Sequence, residues 1–158
     1  MIKKTAMQTF TAKIIDFDCS FLEDVPPQSE SELGGDQIYL SPEACLFLCG
    51  EETKLTTKMD VFSLGILFHQ YLTGYVPWYD TGEFDYLHEA VLEGAKAGVS
   101  EKVPAEWRPV IEQMLIGDPE QRCSIEDVCR KIIPGYRSID VNANAGNGFI
   151  FAENLGGL

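Results

Sequence analysis

Along residues 57–74 apolar side chains recur without leaving a polar face. Met59, Val61, Phe62, Leu64, Ile66, Leu67, Phe68, Tyr71 and Leu72 would point to all sides of a helix. A helix with no water-facing stripe belongs inside, so the pattern predicts a central helix whose burial is nearly complete. At about 1.5 Å per residue it spans roughly 25 Å, the diameter of a small domain. Thr57 is placed to cap its start, with Asp60 able to return a bond to the cap N–H, and Gly74 is a natural left-handed stop. Lys58, Asp60, His69 and Gln70 interrupt an apolar run already far short of the ~20 residues a bilayer crossing requires. No membrane contact is expected.

The flanking chain reads as shorter pieces. Residues 1–11 are a short basic leader without periodicity. Phe10, Ala12, Ile14 and Ile15 run into Asp16-Phe17-Asp18, the pattern of one short strand ending in an acidic turn. On residues alone that turn is either solvated or a hard-cation site, because carboxylates at the mouth of a strand can hold Mg²⁺ against phosphate. Residues 21–38 form a long connection rich in Glu, Ser and Gly, more often functional or disordered than passive. Glu30 and Glu32 beside Ser29 and Ser31 oppose an added phosphate. Ser41 can cap a short helix through Cys49, with Pro42 in its first turn.

Beyond the central helix, Trp78 and Tyr79 read as aromatic lids on a core. Residues 84–97 suit an amphipathic helix with Phe84, Leu87, Val91 and Ala95 inward and Asp85 and Glu89 outward. Residues 104–115 predict another, with Trp107, Val110, Ile111, Met114 and Leu115 inward. Ser124 and Asp127 form a capping box that opens a last helix through Ile133, with Ile125, Val128 and Ile132 against the core. Residues 134–158, rich in Gly and Asn around Phe149-Ile150-Phe151, read as a flexible or extended tail.

Composition narrows the partners. A chain of 158 residues supports one core, giving a mainly α fold with one short strand at its start. Its net charge of −13 and the lack of a basic cluster disfavour nucleic acid and anionic membrane, and leave a protein as the expected partner. The five cysteines show no zinc-like spacing: Cys45 and Cys49 are one helical turn apart with no matching second pair. An odd count without a secretory leader predicts reduced thiols in a cytoplasmic setting.

The order of Asp16-Phe17-Asp18, Ser41-Pro42-Glu43, Asp60-Val61-Phe62-Ser63-Leu64-Gly65 and Asp118-Pro119-Glu120-Gln121-Arg122 closely resembles the later part of a eukaryotic-type serine/threonine protein kinase catalytic domain. The resemblance covers residues 12–133 and implies a kinase-like C-terminal lobe fragment around the central helix. It implies that Asp16 grips Mg²⁺ beneath the ATP phosphates, with Phe17 packed behind it. Glu43 corresponds to the glutamate of the Ala-Pro-Glu motif and Arg122 to its buried partner. Asp60 corresponds to the aspartate that holds the catalytic-loop backbone, and Trp78 to the aromatic that follows the central helix. Asp36 and Tyr39 fall in the loop that faces substrate.

The glycine-rich loop, the ATP-positioning lysine and the catalytic-loop aspartate have no match in this sequence. A complete parent would therefore use Mg²⁺ and ATP, whereas this chain alone is expected to bind neither and to be inactive. Asp18 replaces the glycine of Asp-Phe-Gly, restricting positive φ at that hinge. The resemblance also implies that Asp36 lies where such kinases usually place a loop threonine that contacts the catalytic aspartate, which would set two carboxylates against each other. Two functions stay open: part of an active serine/threonine kinase, or a pseudokinase or scaffold that holds a protein partner. Apolar surface near Phe10, Ile14 and Phe17, if uncovered, favours a homodimer.

Overall fold

In the computed structural model the described residues are 2–4, 10–12 and 15–133. The architecture is helical: among the described residues five helices, α1 (Pro42–Leu48), α2 (Lys58–Thr73), α3 (Leu87–Leu92), α4 (Arg108–Met114) and α5 (Ile125–Ile132), follow one small ribbon. That ribbon pairs β1 (Ile2–Lys4) antiparallel with β2 (Phe10–Ala12), Lys3 opposite Thr11. Sequence patterning showed one strand, since three residues are too few to display an alternation. The tail at 134–158 lies outside the described residues.

α2 is the axis. α4 packs along one side, α1 and the tight turn Gln37–Tyr39 against another. Close approach of α4 requires Gly65, where an added Cβ would stand 3.0 Å from Leu115 Cδ2 and from Met114 Cβ. The stop is the expected one, with Gly74 at φ 89° and its N–H donating to Gln70 O at 2.8 Å.

The start and the burial of α2 differ from the sequence expectation. Thr57 already has helical backbone angles and makes no side-chain cap, so the box with Asp60 does not form. The hydroxyl of Thr56 accepts from Lys58 N–H instead, at 3.3 Å. Val61, Phe62, Gly65, Ile66 and His69 are buried, but Tyr71 is 79% exposed and Leu72 is exposed as well. No element among the described residues covers the last turns on that side. His69 is buried without strain: Nε2 accepts from Ser100 N–H at 3.1 Å, which leaves Nδ1 to donate to Tyr75 O at 2.9 Å. The interrupting histidine thus anchors a loop.

Shorter helices replace the longer ones patterned in sequence. Glu89 Oε2 accepts from Asp85 and Tyr86 N–H at 2.9 and 3.0 Å, fixing the start of α3 at Leu87. Gly94 at φ 89° ends it, so Phe84 lies before the helix and Ala95 after it, exposed. α5 carries the expected box, Asp127 N–H to Ser124 Oγ at 3.1 Å and Ser124 N–H to Asp127 Oδ2 at 3.0 Å. Ile125 nonetheless faces water, and Val128 supplies the buried contact. Among the described residues no helix is long and apolar enough to cross a membrane.

Candidate functional site

Among the described residues the most highly connected polar side chain is Arg122. Its Nη1 donates to Glu43 Oε1 at 2.7 Å and its Nη2 to Glu43 Oε2 at 3.0 Å, a two-pronged pair buried on both sides. The remaining donors go to backbone carbonyls: Nε to Ile116 at 2.7 Å, Nη1 to Lys58 at 2.7 Å and Nη2 to Gly117 at 2.9 Å. All five N–H groups of the guanidinium are therefore used, the condition under which a buried cation is tolerated. Its flat face lies 4.9 Å from the centre of the Phe62 ring.

Local sequence explains how the pair is delivered. Ser41 Oγ accepts from Ala44 N–H at 3.2 Å, so α1 begins with Glu43 in its buried first turn. Asp118 opens the turn that carries Arg122, its carboxylate accepting from Glu120 N–H at 2.9 Å and from Gln121 Nε2 at 2.6 Å. Those bonds hold its pKa below the usual aspartate value. In the sequence Lys58 reads only as a break in the apolar run, yet its Nζ donates to Arg122 O. A lysine in the first turn opposes the helix dipole, and that was the available signal.

Beside the start of α1 is a recess of about 240 Å³, whose lining includes Asp36, Tyr39, Ser41, Ala44, Asp60 and Ser63. Asp36 caps the turn below it, accepting from Ile38 N–H at 3.0 Å. Tyr39 is fixed at both ends, its hydroxyl donating to Gln70 Oε1 at 2.8 Å and its carbonyl accepting from Ser63 Oγ at 2.7 Å. Asp60 is exposed. Desolvation by the wall behind it nevertheless raises its carboxyl pKa, and no donor among the described residues reaches it.

The structure thus gathers Asp36, Tyr39 and Asp60 at one recess and Glu43 with Arg122 beside it, while Asp16, Phe17 and Trp78 line neither. Asp16 is exposed and holds φ 67°, the one left-handed position among the described non-glycine residues. Such strain concentrates at functional positions. Asp18, two residues on, does not have positive φ, in line with the loss of glycine at that hinge. Phe17 is 61% exposed instead of packed behind Asp16; its carbonyl accepts from Ser20 N–H and Oγ. Trp78 is no lid: it is 70% exposed, and its backbone exchanges bonds of 3.0 and 2.8 Å with Gly98. Its ring lies over Gly98, where an added Cβ would come within 3.2 Å of Cε3. Tyr79 is the aromatic that packs on the core. Among the described residues no group of three or more His, Cys, Asp or Glu could enclose a metal.

The family model described as the protein kinase domain matches residues 1–132. The chain belongs to the protein kinase family. It is 30% identical over 146 residues to the serine/threonine-protein kinase PkaA of Streptomyces coelicolor, covering 92% of this chain and 25% of that protein. It is 30% identical over 118 residues to an Aurora kinase of Schizosaccharomyces pombe, covering 75% of this chain and 31% of the relative. The ovarian-specific serine/threonine-protein kinase Lok of Drosophila melanogaster is 34% identical over 103 residues, 61% of this chain and 20% of Lok. This kinase-family chain spans a third or less of those relatives, and the family match includes the segment read from sequence as a leader.

Proposed function

We propose that this chain is the later part of the large lobe of a serine/threonine protein kinase whose whole protein moves the γ-phosphate of ATP to a protein Ser or Thr hydroxyl. The observation that carries the reading is the Glu43–Arg122 pair. It ties the Ser-Pro-Glu segment, and hence the loop of Asp36 and Tyr39, to the Asp-Pro-Glu-Gln-Arg turn across 79 residues of sequence. Substrate geometry depends on that loop being held, because phosphoryl transfer is mostly positioning and charge stabilisation.

Asp16 fits the metal role on its chemistry. Its carboxylate is exposed on a strained turn, and Mg²⁺ is commonly held by one or two carboxylates together with substrate phosphates. When bound, Mg²⁺ would neutralise charge on the phosphate oxygens. The residues of this chain would hold the ion through Asp16, present the substrate loop through Asp36 and Tyr39, and receive the catalytic-loop backbone at Asp60. None of them is a match for the proton acceptor, so the isolated chain is proposed to bind Mg·ATP weakly or not at all and to transfer no phosphate. In the whole protein Asp16→Asn should lower transfer by roughly 10²-fold or more without changing the melting temperature. Transfer at the original rate overturns the proposal.

The pseudokinase or scaffolding reading draws on Asp36, whose carboxylate stands where a threonine is usual and is already engaged in capping its own turn. It predicts a whole protein that lacks transfer with or without Asp16 and still binds a protein partner through this lobe. Exposed Phe17 and Ile15 support the proposal that the chain alone self-associates; a monomer by light scattering at high concentration would refute that.

A further inference from the structure

The last turn of α1 carries two thiols that neither the buried pair nor the recess uses. The bond from Cys49 N–H to Cys45 O, at 3.0 Å, places them one helical turn apart. Residues so spaced share a face, with Cβ atoms about 5–6 Å apart. Both thiols are free, Cys49 exposed and Cys45 half-buried. Burial first, and then the neighbouring Cys49 and Glu89, raise the Cys45 pKa and keep it a thiol. We propose that this pair is a modification site for hydroperoxides, closing to an intrahelical Cys45–Cys49 disulfide that a dithiol reductant reopens.

Geometry makes the bond attainable and labile. A disulfide needs Cβ atoms roughly 3.5–4.5 Å apart, so the turn must tighten by about 1–2 Å. It can do so here because Cys49 is the C-cap: its N–H is shared among Cys45, Leu46 and Phe47 carbonyls, and Gly50 follows at φ 78°. A helix interior would resist. The strain that remains favours reduction, and strained, exposed disulfides are the reversible ones.

The chemistry balances with peroxide as the oxidant. The Cys49 thiolate attacks one peroxide oxygen, the O–O bond breaks, and the departing hydroxide is protonated to water, leaving a sulfenic acid. The Cys45 sulfur then attacks the Cys49 sulfur, the S–O bond breaks, and the departing hydroxide takes the Cys45 proton to form a second water. Two electrons pass from the two thiols to one peroxide. Exposure sets the order: the open thiol meets the oxidant and the half-buried one resolves it. Tightening this turn bears on α3, against which α1 packs, and on Glu43 two residues upstream.

The test uses the reduced chain, hydrogen peroxide, an acid quench and intact mass measurement. Expected is a loss of two hydrogens with no oxygen added, reversed by dithiothreitol. Trypsin leaves residues 14–54 as one peptide that also holds Cys19, so Cys19→Ser is run alongside and must still close. Cys49→Ser must abolish the loss, and Cys45→Ser must leave a sulfenic acid that dimedone labels. In the oxidised wild-type peptide, fragmentation should release no breaks between residues 45 and 49, a readout that needs no variant to fold. A link through Cys19, a link between two chains, or a mass that stays constant or only gains oxygen overturns the proposal.

Discussion

Lys58 and Arg122 exchange hydrogen bonds in both directions: Lys58 Nζ donates to the Arg122 carbonyl, and Arg122 Nη1 donates to the Lys58 carbonyl at 2.7 Å. Two cations stand side by side because each is held by the other's backbone and because Glu43 neutralises the arginine. Removing the carboxylate leaves a buried charge uncompensated, and Glu43→Leu should cost about 3–5 kcal/mol. Arg122→Lys should cost nearly as much, since an ammonium has three donors for five fixed acceptors. Lys58→Met removes one bond to a carbonyl and should cost about 1–2 kcal/mol. Urea unfolding of the three variants checks that ranking; equal losses would mean the cluster is not organised around the pair.

Gly65 lets α2 and α4 touch. An added methyl at 3.0 Å from Leu115 Cδ2 and Met114 Cβ must push two buried side chains. Overpacking of this kind costs about 1–3 kcal/mol, outweighing the gain in helix propensity of about 1 kcal/mol. Gly65→Ala should therefore lower the urea midpoint, whereas the same change in an exposed helix would raise it.

The helical class and the α2 axis were legible because apolar residues on every face of a 16-residue helix leave little choice but a core. The capping box of α5 was legible because its partners are three residues apart. Exposure of Tyr71 and Trp78 was not, since periodicity says which residues could be buried and nothing about whether a neighbour is there to bury them. Long-range polar closure was equally hidden. Only the resemblance paired Glu43 with Arg122, and the carbonyls of Lys58, Ile116 and Gly117 carry no side-chain signature at all.

His88 gives the fold a pH dependence on the acid side. It is buried against Tyr86, rings stacked with centroids 5.4 Å apart, and its Nδ1 has no partner among the described residues. Burial lowers its pKa below 6.5, outweighing the opposing pull of Glu89 and of the Gln37 backbone. The unfolded chain therefore binds this proton more readily than the folded one. Stability should fall as pH drops below about 6.5 and continue to fall until the folded-state pKa is passed. Urea midpoints between neutral pH and pH near 5 should show that slope, and His88→Phe should flatten it; an unchanged slope would assign the effect to other groups.

Asp60 should respond with opposite signs in this chain and in the whole protein. Desolvation raises its carboxyl pKa, so the folded chain binds the proton more tightly than the unfolded chain does. The stability that goes with this shift is present below the usual value of 3.8 and is lost as pH rises through the folded-state pKa. At neutral pH the carboxylate is then at most a small liability, screened because the residue is exposed to water. Asp60→Asn should leave this chain equally stable or more stable by under about 1 kcal/mol. In the whole protein, where the proposed function gives Asp60 backbone donors to hold, the same change should lower both melting temperature and transfer rate. Melting curves for the two contexts measure the difference directly. A loss of stability in the isolated chain would mean that Asp60 already has its partner here, and the role proposed for it in holding catalytic-loop backbone would fail.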